Sequence, residues 1–384
     1  MKIAGSWFQN PDTQAVLRCI TDAGYHAFLV GGCIRNALIG APVADIDIST
    51  EARPETVSKL AREAGFKVIP TGIDHGTVTV IAGGEPHEIT TFRRDEETDG
   101  RRAVIAFSDR VEEDAERRDF TMNALYADPD GEILDPIGGL GDLQARHVRF
   151  IGHAQDRIRE DYLRILRFFR FTAWYGDPEL GFDADALAAI SENLAGLESL
   201  SRERIGHEMK KLLAAPEPAP AVATMAQSGV LGVLLPGSDA RVLPVFVHLE
   251  AQAGLEPHWV SRLAALGGQD VANLLRLSKQ AARNLDSLSR AANEFERPAV
   301  HGYRLGQELG SRSWLLRLAK LETELSASDL EKVAFGAEQV FPVKAADLLD
   351  QLQGAALGAE LKRLEAIWIE SNFSLSKSDL LGSA

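Results

Sequence analysis
The sequence predicts an α+β protein, with a mixed sheet and helices in an N-terminal head and only helices thereafter. Three observations carry that reading. Short β-rich runs alternate with capped helical segments up to about residue 143. From Gln144 onward the strand signals stop and helical periodicity runs to the end. Between Phe28 and Thr50, "FLVGGCIRNALIGAPVADIDIST" places a glycine pair, an arginine and two spaced aspartates around strand-like runs. A strand needs none of these residues; a site for phosphates and a metal does.

Taken in order, "PDTQAVLRCITDAG" reads as a helix, opened by Asp, spaced with apolar residues at helical intervals and closed by Gly. "HAFLVGG" and "ADIDIST" read as strands, and "RPETVSKLAREAG" as a second capped helix. "HGTVTVIAGGEPHEITTF" is a hairpin, two β-rich runs joined by Gly-Gly. Asp95–Glu116 is polar, charge-rich and poorly periodic, and is expected to be a mobile loop. "RRDFTMNALYAD" is expected to start a helix, and "PDGEILDPIGG" to hold a short strand between turns. Helical segments follow, with "APEPAPA" (Ala215–Ala221) either a domain linker or an inter-helix turn enforced by proline.

The 384 residues are 45% hydrophobic and 25% charged, ordinary globular usage, and suggest two or three domains. "MKIAGSWFQNPD" lacks the apolar core of a secretory signal, and no apolar run approaches the length of a spanning helix. A cytoplasmic protein with no membrane partner is expected. Cys19 and Cys33 are too few for a disulfide framework or a four-cysteine zinc site, and read as small buried side chains. The net charge of −15 argues against a nucleic-acid partner until its distribution is considered. Arg146, Arg149, Arg157, Arg159, Arg164, Arg167 and Arg170 crowd one segment that can meet phosphates while acidic surface elsewhere sets the total.

The chemistry concentrates in Phe28–Thr50. Residues two apart on a strand share a face, so Asp45 and Asp47 project together while Ile46 and Ile48 turn inward. Two adjacent carboxylates repel and call for a cation, and hard oxygen ligands suit Mg²⁺ held jointly with substrate phosphates. Gly31 and Gly32 leave backbone N–H groups open to a phosphate, and Arg35 adds a fixed positive charge.

"LVGGCIRNALIG…DIDIST" resembles motif A of the class II tRNA nucleotidyltransferases, the CCA-adding enzymes, and of the related bacterial poly(A) polymerases. "TGIDHGTVTV", "ERRDFTMNALYAD", "LDPIGGLGDL", "RIREDYLRILRFFRF" and "RERIGHEMKKLL" continue the resemblance in order, from Phe28 to about Leu213. It implies a polymerase-β-like nucleotidyltransferase head over 1–143, a helical neck over 144–213 and a helical, RNA-binding body and tail over 214–384. Asp45 and Asp47 are then the ligands of two Mg²⁺ ions, and Glu88 is the candidate third acidic group. Gly32 and Arg35 match nucleotide-contacting positions, beside Gly31. The residue after that arginine is usually Asp, where this chain has Asn36.

Arg117 and Arg118 are expected at a helix N-terminus, where dipole and guanidinium both favour phosphate. Arg118 matches a nucleotide-contacting position, and Asp119 follows it as a further nucleotide-site residue or as a helix cap. In "REDYLRILRFFRF", helical spacing puts Asp161 beside Arg164, with Arg167 and Arg170 along the same ridge. The resemblance makes the Asp161–Arg164 pair a protein template. Asp161 accepts from the amino group of cytosine or adenine and Arg164 donates to the neighbouring ring nitrogen, whereas guanine and uracil present the reverse order.

The implied activity is template-independent addition of CCA to a tRNA 3′ end from CTP and ATP, with a movable Asp95–Glu116 reshaping one pocket for both. Poly(A) polymerase and partial, CC-only or A-only, tRNA enzymes share the motifs. The short C-terminus "SNFSLSKSDLLGSA" lacks the basic extension of many poly(A) polymerases. A catalytically silent RNA- or nucleotide-binding module is disfavoured by the intact DxD and EDxxR residues. A nucleotidyltransferase for a compact acceptor leaves the long helical region after Leu213 without a purpose.

Overall fold
The computed structural model describes residues 1–70, 72–95, 105–294 and 296–382. They form two compact units, Met1–Glu208 with Gln227–Leu234, and Met209–Ala226 with Leu235–Ala384.

The described residues of the first unit include nine strands: β1 (Phe28–Val30), β2 (Ile46–Thr50), β3 (Lys67–Ile69), β4 (Thr77–Ala82), β5 (Glu85–Thr91), β6 (Arg93–Asp95), β7 (Ile105–Phe107), β8 (Tyr126–Ala127) and β9 (Ile133–Leu134). Seven of them make a mixed sheet in the order β3-β4-β5-β2-β1-β8-β9. β4 and β5 pair antiparallel across Gly83-Gly84, with Ala82 opposite Glu85, the tight hairpin expected of a Gly-Gly turn. β2 lies between antiparallel β1 and parallel β5, so the two ends that matter, the close of β1 and the start of β2, meet at one edge of the sheet. Leu29, Ile48, Val78, Val80 and Ile89 fill the core face. Helices Pro11–Thr21 and Pro54–Glu63 pack against β4 with their apolar stripes inward; Asn10 caps the first by accepting from the Asp12 amide at 2.9 Å.

Two expectations are corrected here. Asp95–Glu116 is not simply a loop. β6 and β7 pair into a two-stranded ribbon, and Val111–Glu116 is a helix, while 96–104 lie outside the described residues. Phe107 anchors the ribbon: its ring stands where a Cβ on Gly76 (φ +77°) would approach to 2.6 Å, and the Arg53 guanidinium lies 4.9 Å from the ring centroid. A polar sequence hides such an anchor because a single aromatic makes no periodicity. "RRDFTMNALYAD", likewise, does not open an α-helix; it forms a 3₁₀ turn, Thr121–Asn123, and then β8. Pairing with β1, Leu29 to Ala127 and Val30 to Tyr126, overrides the helical preference of the intervening residues.

Helices Ala154–Glu160 and Leu163–Tyr175 follow, and an aromatic cluster holds the second of these. Phe120 lies 4.9 Å from both Phe150 and Phe171, centroid to centroid, and Phe150 lies 5.7 Å from Phe168. Each such pair adds about 0.5–1.5 kcal/mol to the burial itself.

Among the described residues of the second unit all regular elements are helical, and a buried charge cluster organises the chain near its start. Glu250 accepts from Arg262 at 2.8 Å and from Arg312 at 2.9 Å, with all three side chains almost fully buried. Arg262 also donates to the carbonyls of Leu213 (2.9 Å), Ala215 and Pro216 (3.4 Å). The Leu213 carbonyl ends helix Arg202–Leu213, where the last backbone acceptors have no helical partner, and the Ala215 and Pro216 carbonyls lie in the turn that follows. "APEPAPA" is therefore an inter-helix turn, Ala214–Pro218, ahead of helix Ala219–Gln227. Removing one partner of a buried ion pair strands the others. Glu250→Ala is expected to lower unfolding free energy by about 3–5 kcal/mol, read as a shift in the urea midpoint.

Candidate functional site
The site grows from the turn between β1 and helix Gly32–Leu38. Gly31 has φ +73° and ψ −120°, a conformation that costs an L side chain strain, and its amide donates to the Leu125 carbonyl at 3.2 Å. A Cβ on Gly31 would lie 3.5 Å from Arg118 Nη1, and one on Gly32 would lie 3.8 Å from Arg35 Nη2. Two guanidinium groups thus flank the glycine pair, and the glycines leave the space between them open.

Arg35 is buried and held by three residues. Its Nε and Nη2 donate to Asn36 Oδ1 at 3.2 and 3.0 Å, Nη1 donates to Asn123 Oδ1 at 2.5 Å, and Nη2 donates to the Tyr175 hydroxyl at 2.8 Å. Tyr175 ends the helix that carries Arg164, Arg167 and Arg170, so Arg35 ties the glycine turn to that helix.

Arg118 reaches the site from an unexpected direction. Arg117 and Arg118 follow the C-terminus of helix Val111–Glu116 and do not occupy a helix N-terminus. The force that fixes them is Asp114, which has no exposed surface. It accepts from Arg117 Nε (3.0 Å), Arg118 Nη2 (3.0 Å) and the Tyr126 hydroxyl (2.8 Å). Burial raises the Asp114 pKa, but Arg118, then Arg117 and the Tyr126 hydroxyl, overcome it and bring the pKa to about 2. Arg118 Nη2 also donates to Ser49 Oγ at 3.3 Å, which places its guanidinium on the face of β2 shared with Asp47.

The acids gather beside it. β2 begins at Ile46, so Asp45 immediately precedes the strand and is exposed, while Asp47 is half-buried within it. Glu88 of β5 is the register partner of Asp47, on the same sheet face. Burial first, then repulsion from Glu88 and Asp45, push the Asp47 carboxyl up to about 6, against the pull of Arg118. A divalent cation relieves that repulsion, so the donor set suits Mg²⁺. Among the described residues no group of three or more His, Cys, Asp or Glu is placed to hold a metal ion by itself.

The helical segment arranges its charges otherwise than helical spacing suggests. Asp161 lies in the break between helices Ala154–Glu160 and Leu163–Tyr175, with extended φ/ψ, so it is not on one helix face with Arg164. Asp161 accepts from the Leu163 amide at 3.1 Å and from Arg204 at 2.6 Å. Arg164 pairs with Glu160 and donates to the carbonyls of Arg157 (3.0 Å) and Arg117 (3.1 Å). Arg167 pairs with Asp119 at 2.6 Å, and Arg170 with buried Glu208 at 2.7 Å. Asp119 is not a helix cap; it accepts from the Phe120 amide and from Asn123 Nδ2, both at 2.9 Å. Burial raises its pKa, and Arg167 with those donors brings it below the ordinary value.

Sequence reasoning missed Asp114, Asn123, Tyr126, Tyr175, Arg204 and Glu208 as parts of this arrangement. For Asp114 a signal existed, since it stands three and four residues before Arg117 and Arg118. For Tyr175 and Glu208 none did, because their partners lie across the fold.

A profile of the poly(A) polymerase head domain matches residues 27–149, and one described as the probable RNA and SrmB-binding site of polymerase A matches 180–241. The mitochondrial CCA tRNA nucleotidyltransferase 1 of Mus musculus is 31% identical over 402 residues, which cover 99% of this chain and 92% of that protein. The chain belongs to the class II CCA-adding tRNA nucleotidyltransferase family. The CCA-adding enzyme of Geobacillus stearothermophilus is 38% identical over 272 residues, covering 69% of this chain and 65% of that enzyme. The crystal structure of the Bacillus stearothermophilus CCA-adding enzyme in complex with CTP superposes with a TM-score of 0.76 at 28% identity, over 96% of this chain and 94% of that one. A Thermotoga maritima CCA-adding enzyme complexed with tRNA shares the fold, with a TM-score of 0.69 at 18% identity over 96% of this chain and 93% of that one. As in those CCA-adding enzymes, a polymerase head precedes a helical remainder. Among the described residues no helix is long and apolar enough to cross a membrane.

The depressed pKa of Asp114 sets a pH dependence. Its contribution is full above the unfolded-state value of about 3.9 and fades as pH falls through the folded-state value. The stability gap between the protein and Asp114→Asn, measured by urea unfolding, is expected to be widest above pH 5 and to narrow steadily toward pH 2.

Proposed function
We propose that this chain adds C, C and A to the 3′ end of tRNA, taking CTP and then ATP without a nucleic-acid template. The observation that carries the reading is the convergence of Arg35 and Arg118 on the turn at Gly31 and Gly32, with Asp47 on the strand face that Arg118 reaches. The Gly31 amide, expected to be open, is taken by the Leu125 carbonyl, so the turn supports a triphosphate from Gly32 onward, flanked by two guanidinium groups, with carboxylates at its edge. The named relatives and the CTP-bound structural neighbour support the same substrates.

In this reading Arg35 and Arg118 bind phosphate oxygens and orient the α-phosphate for attack by the tRNA 3′-hydroxyl, with pyrophosphate leaving from the opposite side. Asp45 and Asp47 hold Mg²⁺, two ions by the family's pattern, which when bound acidify the hydroxyl and neutralise the triphosphate. Glu88 adds a third carboxylate beside Asp47 and takes part in holding the cation or the proton. Asp161 and Arg164 read the base. Both already hold protein partners, Arg204 for Asp161 and Glu160 for Arg164, so a matching base replaces those contacts and a mismatched one leaves them in place. Arg167 with Asp119 and Arg170 with Glu208 fix the reading helix. Residues 144–213 form the neck in this division of the chain, and 214–384 the body and tail that hold the RNA.

The deciding assay uses a tRNA transcript lacking its CCA end, Mg²⁺, and labelled CTP, ATP or both, with products sized to single nucleotides. Three additions only when both nucleotides are present is the expected result. A ladder of A residues reassigns the chain to poly(A) synthesis, and arrest after two C residues, or addition of a final A alone, to a partial enzyme. Asp161→Asn replaces an acceptor with an amide that also donates. It is expected to lower the CTP-over-UTP preference in kcat/KM by about 10- to 100-fold, while Asp47→Asn is expected to lower kcat by at least about 100-fold with either nucleotide.

A further inference from the structure
We propose that Asn36 is a positioning residue that orients Arg35 without neutralising it, so that the guanidinium's charge stays available to the nucleotide's phosphates. The inference rests on the reading of Arg35 as a phosphate contact.

Arg35 is 7% exposed, and among the described residues no carboxylate forms an ion pair with it. Each of its hydrogen-bond acceptors is a neutral oxygen: the Asn36 amide oxygen, taking two bonds at 3.2 and 3.0 Å, the Asn123 amide oxygen and the Tyr175 hydroxyl. The Tyr175 ring centroid lies 4.0 Å from the guanidinium carbon and the Phe171 centroid 5.1 Å, so aromatic faces stand where a counter-ion ordinarily would. The carboxylate that acts on Arg35 from further off is Asp119, and Arg167 already pairs with it. The other arginines of this unit's site each pair with a carboxylate: Arg118 with Asp114, which Arg117 shares, Arg164 with Glu160, which Arg157 shares, Arg167 with Asp119 and Arg170 with Glu208. Arg35 stands apart from them.

A buried cation without an anion is costly, and the cost is recovered when an anion arrives. Arg35 Nη2 lies beside Gly32, where no side chain intervenes. An incoming triphosphate therefore meets a charge that, among the described residues, no carboxylate contacts directly. The amide at position 36 is suited to this because it has a second task. Asn36 Nδ2 donates to the Pro42 carbonyl at 2.8 Å, fixing the segment that runs on to Asp45. A carboxylate there has no proton for that carbonyl and adds a full negative charge beside Arg35.

Two substitutions separate the roles. Asn36→Ala removes the acceptor and the Pro42 tether without adding charge, while Asn36→Asp is isosteric, loses the tether and adds charge. Asn36 is half-buried, and melting temperatures confirm that both variants fold. The full-length protein is titrated with inorganic pyrophosphate by calorimetry at low and high salt, and KM and kcat for CTP are measured in parallel. The expected result is that Asn36→Asp binds pyrophosphate about tenfold more weakly than Asn36→Ala at low salt, that the difference shrinks at high salt, and that KM for CTP rises more than kcat falls. Equal or tighter pyrophosphate binding by Asn36→Asp overturns the proposal. Arg35→Gln distinguishes the two levels of inference. Unchanged pyrophosphate affinity in that variant means that Arg35 is not a phosphate contact, whereas a large loss there with no difference between the two Asn36 variants leaves Arg35 in its role and removes Asn36 from this one.

Discussion
Asp114 has no contact with solvent and accepts hydrogen bonds from two arginines and a tyrosine. That one carboxylate fixes the arginine on one side of the glycine turn. Tyr126 belongs to β8, which pairs with β1 and so sets the strand that delivers Gly31. Arg118, held on its other side by Ser49 of β2, brings the second strand into the same arrangement. A single buried anion thereby links the two strands beside the glycine turn, and it does so with charged hydrogen bonds, which are shorter and stronger than neutral ones. The remaining pairs extend this order outward: Asp119 takes Arg167, Glu208 takes Arg170, and the Phe120 aromatic cluster holds their helix in place.

In this chain of net charge −15 the clustered arginines do not form an open basic surface. Arg149, Arg157, Arg164, Arg167 and Arg170, which look like an open basic stripe in the sequence, are each engaged by a carboxylate. Their function in the fold is directional. Charge complementarity of this kind contributes to specificity more than to bulk attraction, and total charge says little about it.

Much of the head was legible in the sequence because its signals are local. The Gly-Gly hairpin, the capped helices before β1 and β3, and the alternation of Ile46, Asp47 and Ile48 each follow from residues within a few positions of one another. The misplaced pieces share a different cause. Arg118 was assigned to a helix start because the sequence does not display β8 pairing with β1, and Asp161 was assigned to a helix because spacing of three residues does not register a break at that point. The partners that define the site across the fold, Tyr175 for Arg35 and Glu208 for Arg170, are separated from them by long stretches of chain, and no periodicity reports such contacts. Helix Arg202–Leu213 is a similar case, since its end is fixed by Arg262, which the sequence shows only as one scattered arginine among many.

The break at Asp161 also has a mechanical meaning. A side chain seated within a helix is confined to one ray from the axis, and can be re-aimed only by moving the whole rod. A side chain at a joint between two rods is steered by its own backbone torsions, φ −153° and ψ 104° here, while Glu160 and Leu163 stay in their separate helices. A side chain carried on such a joint changes direction through two torsions alone, and the rods on either side keep their shape.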